Sequence, residues 1–365
     1  MTGPNDLGEL KRHVLVHARG QKLDPARYRA ILRRIEHDED GPGSWVAEWS
    51  RAARDLEERG RLLDACRHYA MARFPFVNGD ARREAHERCV AVFDRWRRDV
   101  PGIERLDLDL PGGRVRCWAA GLAPGRPLML IMGGIVTVKE QWAPMLARGE
   151  RLGLAGVVLE LPGVGENTLP YDSGSPRMLS ALLDALADRA DVDRTYALAM
   201  SFAGHLALRC ATEDPRIRGV ATTGAPVSGF FTDTAWQRDA VPRVTTDTLA
   251  HLVGTKPADV YDEIRDWALT GEALASLDIP VHYAASLRDE IIPPGETAHL
   301  RRHLRSFHLM ENDDVHGSPR HAAEVGLWTL LAILRMADAP RVPRALLTSA
   351  FLAARARRRL LGPAR

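Results

Sequence analysis

Two different periods of apolar and polar residues divide the chain near Pro101. Ahead of it, apolar residues recur at helical spacing. In "RLLDACRHYAMARF" Leu62, Ala65, Cys66, Tyr69, Ala70 and Phe74 fall near one face. "SWVAEWSRAARDLEERG" runs to Gly60, a residue suited to end a helix. "DARREAHERCVAVFDRWRR" reads as another amphipathic helix, with Asp80 as N-cap. Beyond Pro101 the period shortens. "IERLDLDLPGGRVRCWAA" alternates on both sides of "PGG", which predicts a hairpin. Short apolar runs follow in "PLMLIMGG", "LAGVVLELPGVGEN", "TYALAMS", "IRGVATTGAPV", "PVHYAASLRDEIIPP" and "SFHLMEND". Helical stretches at 140–152, 176–190, 202–213 and 296–304 separate several of them. This alternation predicts an α/β fold with a mostly parallel, doubly wound sheet.

Residues 228–275 are too many for a strand-to-helix loop and carry a helical period of their own. They are expected to cap the C-terminal edge of the sheet, where open α/β sheets bind ligands. The expected organisation is a helical N-terminal cap segment at 1–100 and a core at 101–227 and 276–335. The cap insertion at 228–275 and a basic amphipathic C-terminal helix at 336–365 complete it. That last helix is expected to dock on the body with its arginines in solvent rather than on anionic lipid.

Composition narrows the function classes. With 365 residues, 45% apolar and 27% charged, the chain can bury a large core. Its net charge is only +2, and arginine supplies nearly all the cations. No nucleic-acid-binding signature accompanies them, so no nucleic-acid partner is expected. Cys66, Cys89, Cys117 and Cys210 are far apart in sequence and form no CxxC, which argues against a metal site and for reduced thiols. The start, "MTGPNDLGELKRHVL", has no apolar signal core, and no run is long enough to span a bilayer. The expectation is a cytoplasmic protein without cofactor, metal or membrane contact, acting on a small molecule.

The candidate chemistry begins at Ser201 in "YALAMSFAGHLAL". A hydroxyl between a strand and a helix, with Ala199, Ala203 and Gly204 clearing space, has the form of a nucleophile elbow. The competing reading is an ordinary serine N-cap. A serine nucleophile needs a base, and the base needs an orienting carboxylate. Asp289 follows the strand "PVHYAAS", with Glu290 beside it as the alternative acid. His316 follows the next strand, and Gly317 lets the chain turn beside it. His205, His282 and His308 fit less well, one lying in the helix after the serine and two within strands. Oxyanion donors are expected from the amide of Phe202 and from the loop "GGIVTVKEQW", at Gly134 or Ile135. A plain turn is the competing use of that glycine pair. "LPGVGEN" lacks the Lys-Ser/Thr of a P-loop and the GxGxxG spacing, so no nucleotide is expected there. Tyr69, Trp142 and Trp236 are weak candidates for lining a pocket for a flat metabolite, with core packing as the commoner role. Asp233 is a weak candidate for an extra acid–base group.

These residues together resemble the α/β-hydrolase fold. More narrowly, the chain resembles the branch holding the FrsA-like proteins, the dihydropseudooxynicotine C–C hydrolase and the fungal polyketide-shortening hydrolases. The carrying stretches are "GGIVTVKE", "ELPGVGEN", "MSFAGHLALRCATEDPRIRGVATTGAPV" and the helical region around "GRLLDACRHYAMARF". They cover about residues 45–335. Val136 stands where that branch often has Asp, and the elbow glycines are partly alanine. The resemblance implies a helical cap made from the N-terminal segment and the 228–275 insert, Ser201, Asp289 and His316 as triad, and dimerisation through the cap as an open option. The scaffold is also similar to esterase-like lyases that eliminate acetate from acetylated tetronate intermediates in spirotetronate biosynthesis. Four functions follow for testing: a serine esterase, an acetate-eliminating lyase, a C–C hydrolase, or a binding module that kept the fold. The esterase, cleaving an acyl ester of a small polyketide-like metabolite, is the leading expectation.

Overall fold

The computed structural model of the chain describes residues 5–361, the side chains of 148–151, 359 and 361 apart. Eight strands form one sheet: β1 Ile103–Leu110, β2 Gly113–Ala120, β3 Pro127–Met132, β4 Ala155–Leu159, β5 Asp191–Met200, β6 Ile217–Thr223, β7 Val281–Ser286 and β8 Phe307–Asn312. Their order is β1-β2-β4-β3-β5-β6-β7-β8. The β1–β2 and β2–β4 pairs are antiparallel, and every later pair is parallel. The fold is thus an α/β-hydrolase fold. The central strands are buried on both faces, which is why they read as continuous apolar runs rather than as alternation: β4 is buried at all five positions and β3 at five of six. A parallel sheet places all its carboxyl ends along one edge. Gly134, Ser201, Gly224, Asp289 and His316 all follow strands at that edge.

The N-terminal region forms five helices, Leu7–Gly20, Pro25–Arg34, Trp45–Glu58, Leu62–Ala72 and Asp80–Arg98. They pack around Trp45, Trp49, Tyr69, Phe74 and Phe93, each with at most 1% of its surface exposed. Gly60 follows the third helix at φ +72°, as a C-terminal glycine should. Asp80 is the first residue of its helix rather than the cap; Gly79 holds that place at φ 149° with no side-chain bond. The stretch expected as a helix at 140–152 is instead 3-10, Lys139–Gln141 and Ala143–Leu152. There Gln141, Trp142 and Met145 close tight turns onto Val138, Lys139 and Trp142. Cys66 and Cys89, distant in sequence, face each other across two of these helices as free thiols, with Sγ atoms 3.6 Å apart.

The 228–275 insertion is helical, with Arg243–Val253 its longest element. Arg341–Leu361 is one helix, and residues 362–365 of the basic C-terminal segment lie outside the described residues. It leaves Val342, Leu346, Leu352 and Leu360 exposed, and Arg358 ties it to Glu324 at 2.7 Å. No helix among the described residues is long and apolar enough to cross a membrane.

Candidate active site

Ser201 is the junction between β5 and helix Phe202–Ala211, at φ +52° and ψ −127°. An L-residue held there carries about 1–3 kcal/mol of backbone strain. The hydroxyl makes no capping bond to the helix, so the N-cap reading fails. It points instead to His316, with Oγ 3.1 Å from Nε2. The elbow needs bare backbone on two sides. A Cβ on Gly204 would lie 2.1 Å from Thr222 Oγ1 and 2.8 Å from the Ala225 methyl. A Cβ on Gly134 would come within 3.2 Å of the Ser201 Cβ. Ala199 and Ala203 are fully buried in the places where glycines are usual.

The imidazole is fixed from behind. Its Nδ1 lies 2.9 and 3.0 Å from the two oxygens of Asp289. A carboxylate only accepts, so Nδ1 carries the proton and Nε2 offers its lone pair to the serine hydroxyl. Asp289 Oδ1 is itself held by the amides of Ile291 and Ile292, both at 2.9 Å. Glu290, the alternative acid, takes the backbone amide of His316 at 3.0 Å rather than the ring. Burial works against the charged imidazole, but the Asp289 charge and hydrogen bond, with Glu290 behind them, outweigh it and raise the pKa of His316. Gly224, after β6, leaves the ring its room: at φ +59°, a Cβ there would stand 2.8 Å from His316 Cε1. Sequence reasoning passed over it, although it closes the strand run "IRGVATTG".

Phe202 opens a helix, so its N–H belongs to the first turn, whose amides have no partner within the helix. Gly134 faces the serine from the end of β3. Its carbonyl is turned into its own loop, accepting from the Thr137 amide at 3.1 Å and the Thr137 hydroxyl at 3.0 Å. Ile135 is buried beside it. Two features pin this loop, and sequence reasoning missed both. The buried Arg73 donates to the carbonyl of Val136. Lys139, also buried, reaches three carboxylates: Glu166 at 2.8 Å, Glu140 at 2.9 Å and Glu160 at 3.4 Å. A signal for Lys139 existed, since it is one of only four lysines in an arginine-rich chain. Three converging carboxylates suit a compact ammonium better than a planar guanidinium.

His86, Glu140 and Glu160 form the one set of metal-ligating side chains that converges among the described residues, with ligand atoms within 4.8 Å of one another. The Lys139 ammonium already supplies a cation to both carboxylates of that set. Burial pushes Glu160 up to about 7, against the pull of Lys139.

The weak candidates are placed as follows. Tyr69 donates to Glu57 at 3.1 Å and lines a groove of about 350 Å³ with Ser44, Ser50 and Arg88, between cap helices. The structure therefore does not bring it to the serine; helix packing claims it. Trp142 donates to Thr137 Oγ1 at 3.4 Å and backs the loop after β3. Trp236 donates to the Ile291 carbonyl at 2.9 Å and braces the turn after Asp289. Asp233 is exposed and caps helix Thr234–Asp239 through the Trp236 amide at 2.9 Å, so its carboxylate serves the helix rather than the crevice.

The family model described as "Esterase FrsA-like" matches residues 42–277. The chain belongs to the FrsA-like esterase family. This FrsA-like protein is 56% identical to the solved structure named "AbyA5 Wildtype", over 96% of this chain and 99% of that one, with a TM-score of 0.92. Esterase FrsA of Photobacterium profundum is 21% identical over 306 residues, 72% of each chain. The 2,6-dihydroxy-pseudo-oxynicotine hydrolase shares the fold, at 17% identity over 93% of this chain and 96% of that one, with a TM-score of 0.70. The protein is an esterase-like α/β-hydrolase enzyme.

Proposed function

We propose that Ser201, His316 and Asp289 act as nucleophile, base and orienting acid on an acyl ester, acetyl in the simplest case, of a small polyketide-like metabolite. The observation that carries this is the continuous line from the Ser201 hydroxyl through the ring of His316 to Asp289. His316 takes the hydroxyl proton as Ser201 attacks the ester carbonyl. The amides of Phe202 and of Gly134 or Ile135 receive the oxyanion. The alcohol leaves with the proton from His316, and water then releases the acid. The FrsA-like esterase family supports an acyl-ester chemistry on this frame.

Helix Leu7–Gly20, whose Val16 lies against the turn of His316, favours one second reading, because a base covered by apolar surface suits a reaction that consumes no water. There His316 removes a proton next to a carbonyl, a carbon–carbon double bond forms, and the acetate C–O bond breaks. The proton and acetate depart together as acetic acid. Incubation with a panel of acetylated small metabolites, followed by product mass, separates the readings. Ester cleavage gives the deacetylated alcohol, 42 mass units (roughly, one ketene equivalent) below the substrate; elimination gives an alkene lighter by acetic acid. Turnover of acetylated substrates unchanged in Ser201→Ala contradicts the nucleophile role.

A further inference from the structure

Beside the triad lies a helix that the triad chemistry does not use. Helix Leu7–Gly20 presents His13, Val16 and His17 on one face by their i, i+3, i+4 spacing. Val16 lies over the turn that carries His316: a Cβ on Gly317 would stand 3.9 Å from Val16 Cγ1. The His17 ring packs on Phe74, with centroids 5.1 Å apart. Phe74 adjoins Arg73, whose guanidinium donates to Val136 in the oxyanion loop and to the Pro75 carbonyl at 3.0 Å. The helix therefore bridges the two walls, Val16 against the turn that carries the base and His17 toward Phe74 and the loop after β3. The helix is held in place: Glu9 accepts from the Val244 amide at 3.2 Å, and Lys11 donates to the Ile35 carbonyl at 2.7 Å.

Among the other interior histidines, His68 bonds the Asp64 carbonyl at 2.7 Å and His205 the Trp267 carbonyl at 2.8 Å, while the buried Nε2 of His86 has no partner among the described residues. Among the described residues no hydrogen bond reaches either ring nitrogen of His17, and the residue is only half-buried. Desolvation of the part packed on Phe74, then the positive charge of Arg73, lower its pKa, so the ring is neutral and has a donor to give. Arg73 is a buried guanidinium whose bonds among the described residues go to carbonyls, with no carboxylate partner. His17 therefore sets an N–H with no partner among the described residues within reach of the positive charge of Arg73.

Resting on the catalytic reading above, we infer that His17 contacts the substrate and determines specificity, donating to an anionic oxygen, carboxylate or enolate, at the end remote from the scissile ester. The charge of Arg73 favours the anion, and the neutral imidazole supplies the directed bond. Calorimetry in a Ser201→Ala background tests this without turnover, with 4-acetoxybenzoate and phenyl acetate as probes. The carboxylate-bearing ester should bind more tightly. Adding His17→Phe should weaken 4-acetoxybenzoate roughly tenfold and leave phenyl acetate within about twofold, as the loss of one charge-assisted bond requires. His17→Gln should restore most of the difference. Equal weakening of both esters, no change in either, or no preference in the parent would overturn the inference. Labelling by a fluorophosphonate in the Ser201 background, unchanged by His17→Phe, keeps failure of this idea distinct from failure of the triad and confirms the fold.

Discussion

At Ser201 the backbone is held in a strained conformation, and its hydroxyl is spent on His316 rather than on the helix it precedes. That choice was half legible in the sequence. Small neighbours and the Ser, Asp, His order could be read, but a serine N-cap has the same local pattern, and only the side-chain direction separates them. The same holds for Asp289 and Glu290, adjacent acids that the fold divides between the ring and the backbone amide of His316. The roles assigned here carry a pH consequence. The base must be neutral to act, and its pKa lies above the ordinary 6.5, raised by Asp289 and Glu290 against burial. Activity therefore falls as pH drops through that raised value. Asp289→Asn removes the largest favourable charge, so it should move this limb to lower pH. It should also cut kcat/KM by about 10⁴-fold with the fold intact by circular dichroism, since the imidazole loses its tautomer and orientation. A pH–rate profile and initial rates check both; a fully active variant would remove Asp289 from the triad.

Among the elements, strands were the most legible, because burial on both faces makes them continuous apolar runs. The segment after β3 was the least. Residues 140–152 read as a helix, yet Lys139 and Glu140 are buried in succession and the chain takes 3-10 turns instead. Nothing in the local pattern announces three carboxylates gathered from Glu140, Glu160 and Glu166, which only the fold brings together. Their seat also needs Gly165, where a Cβ would fall 1.9 Å from a Glu160 oxygen. Lys139→Met should destabilise the protein by about 3–5 kcal/mol, because it leaves buried carboxylates without their cation. Denaturant unfolding measures this. A loss below about 1 kcal/mol would show that the cluster does not depend on the ammonium.

For the whole molecule, the doubly wound sheet was foreseeable from the change of period at Pro101, and the helices within 228–275 from the length and period of that stretch. The role of the first helix was not. Its apolar face reads as ordinary packing, and only the folded chain sets Val16 over the turn of His316 and His17 on Phe74. The sheet brings residues from five strand ends to one edge. The most direct test of this account is reaction of the intact protein with a fluorophosphonate, followed by mapping of the adduct. One adduct on Ser201, absent in Ser201→Ala and strongly slowed in His316→Ala, is the predicted result. An unlabelled wild-type protein, or equal labelling in all three, would contradict an activated serine at this junction.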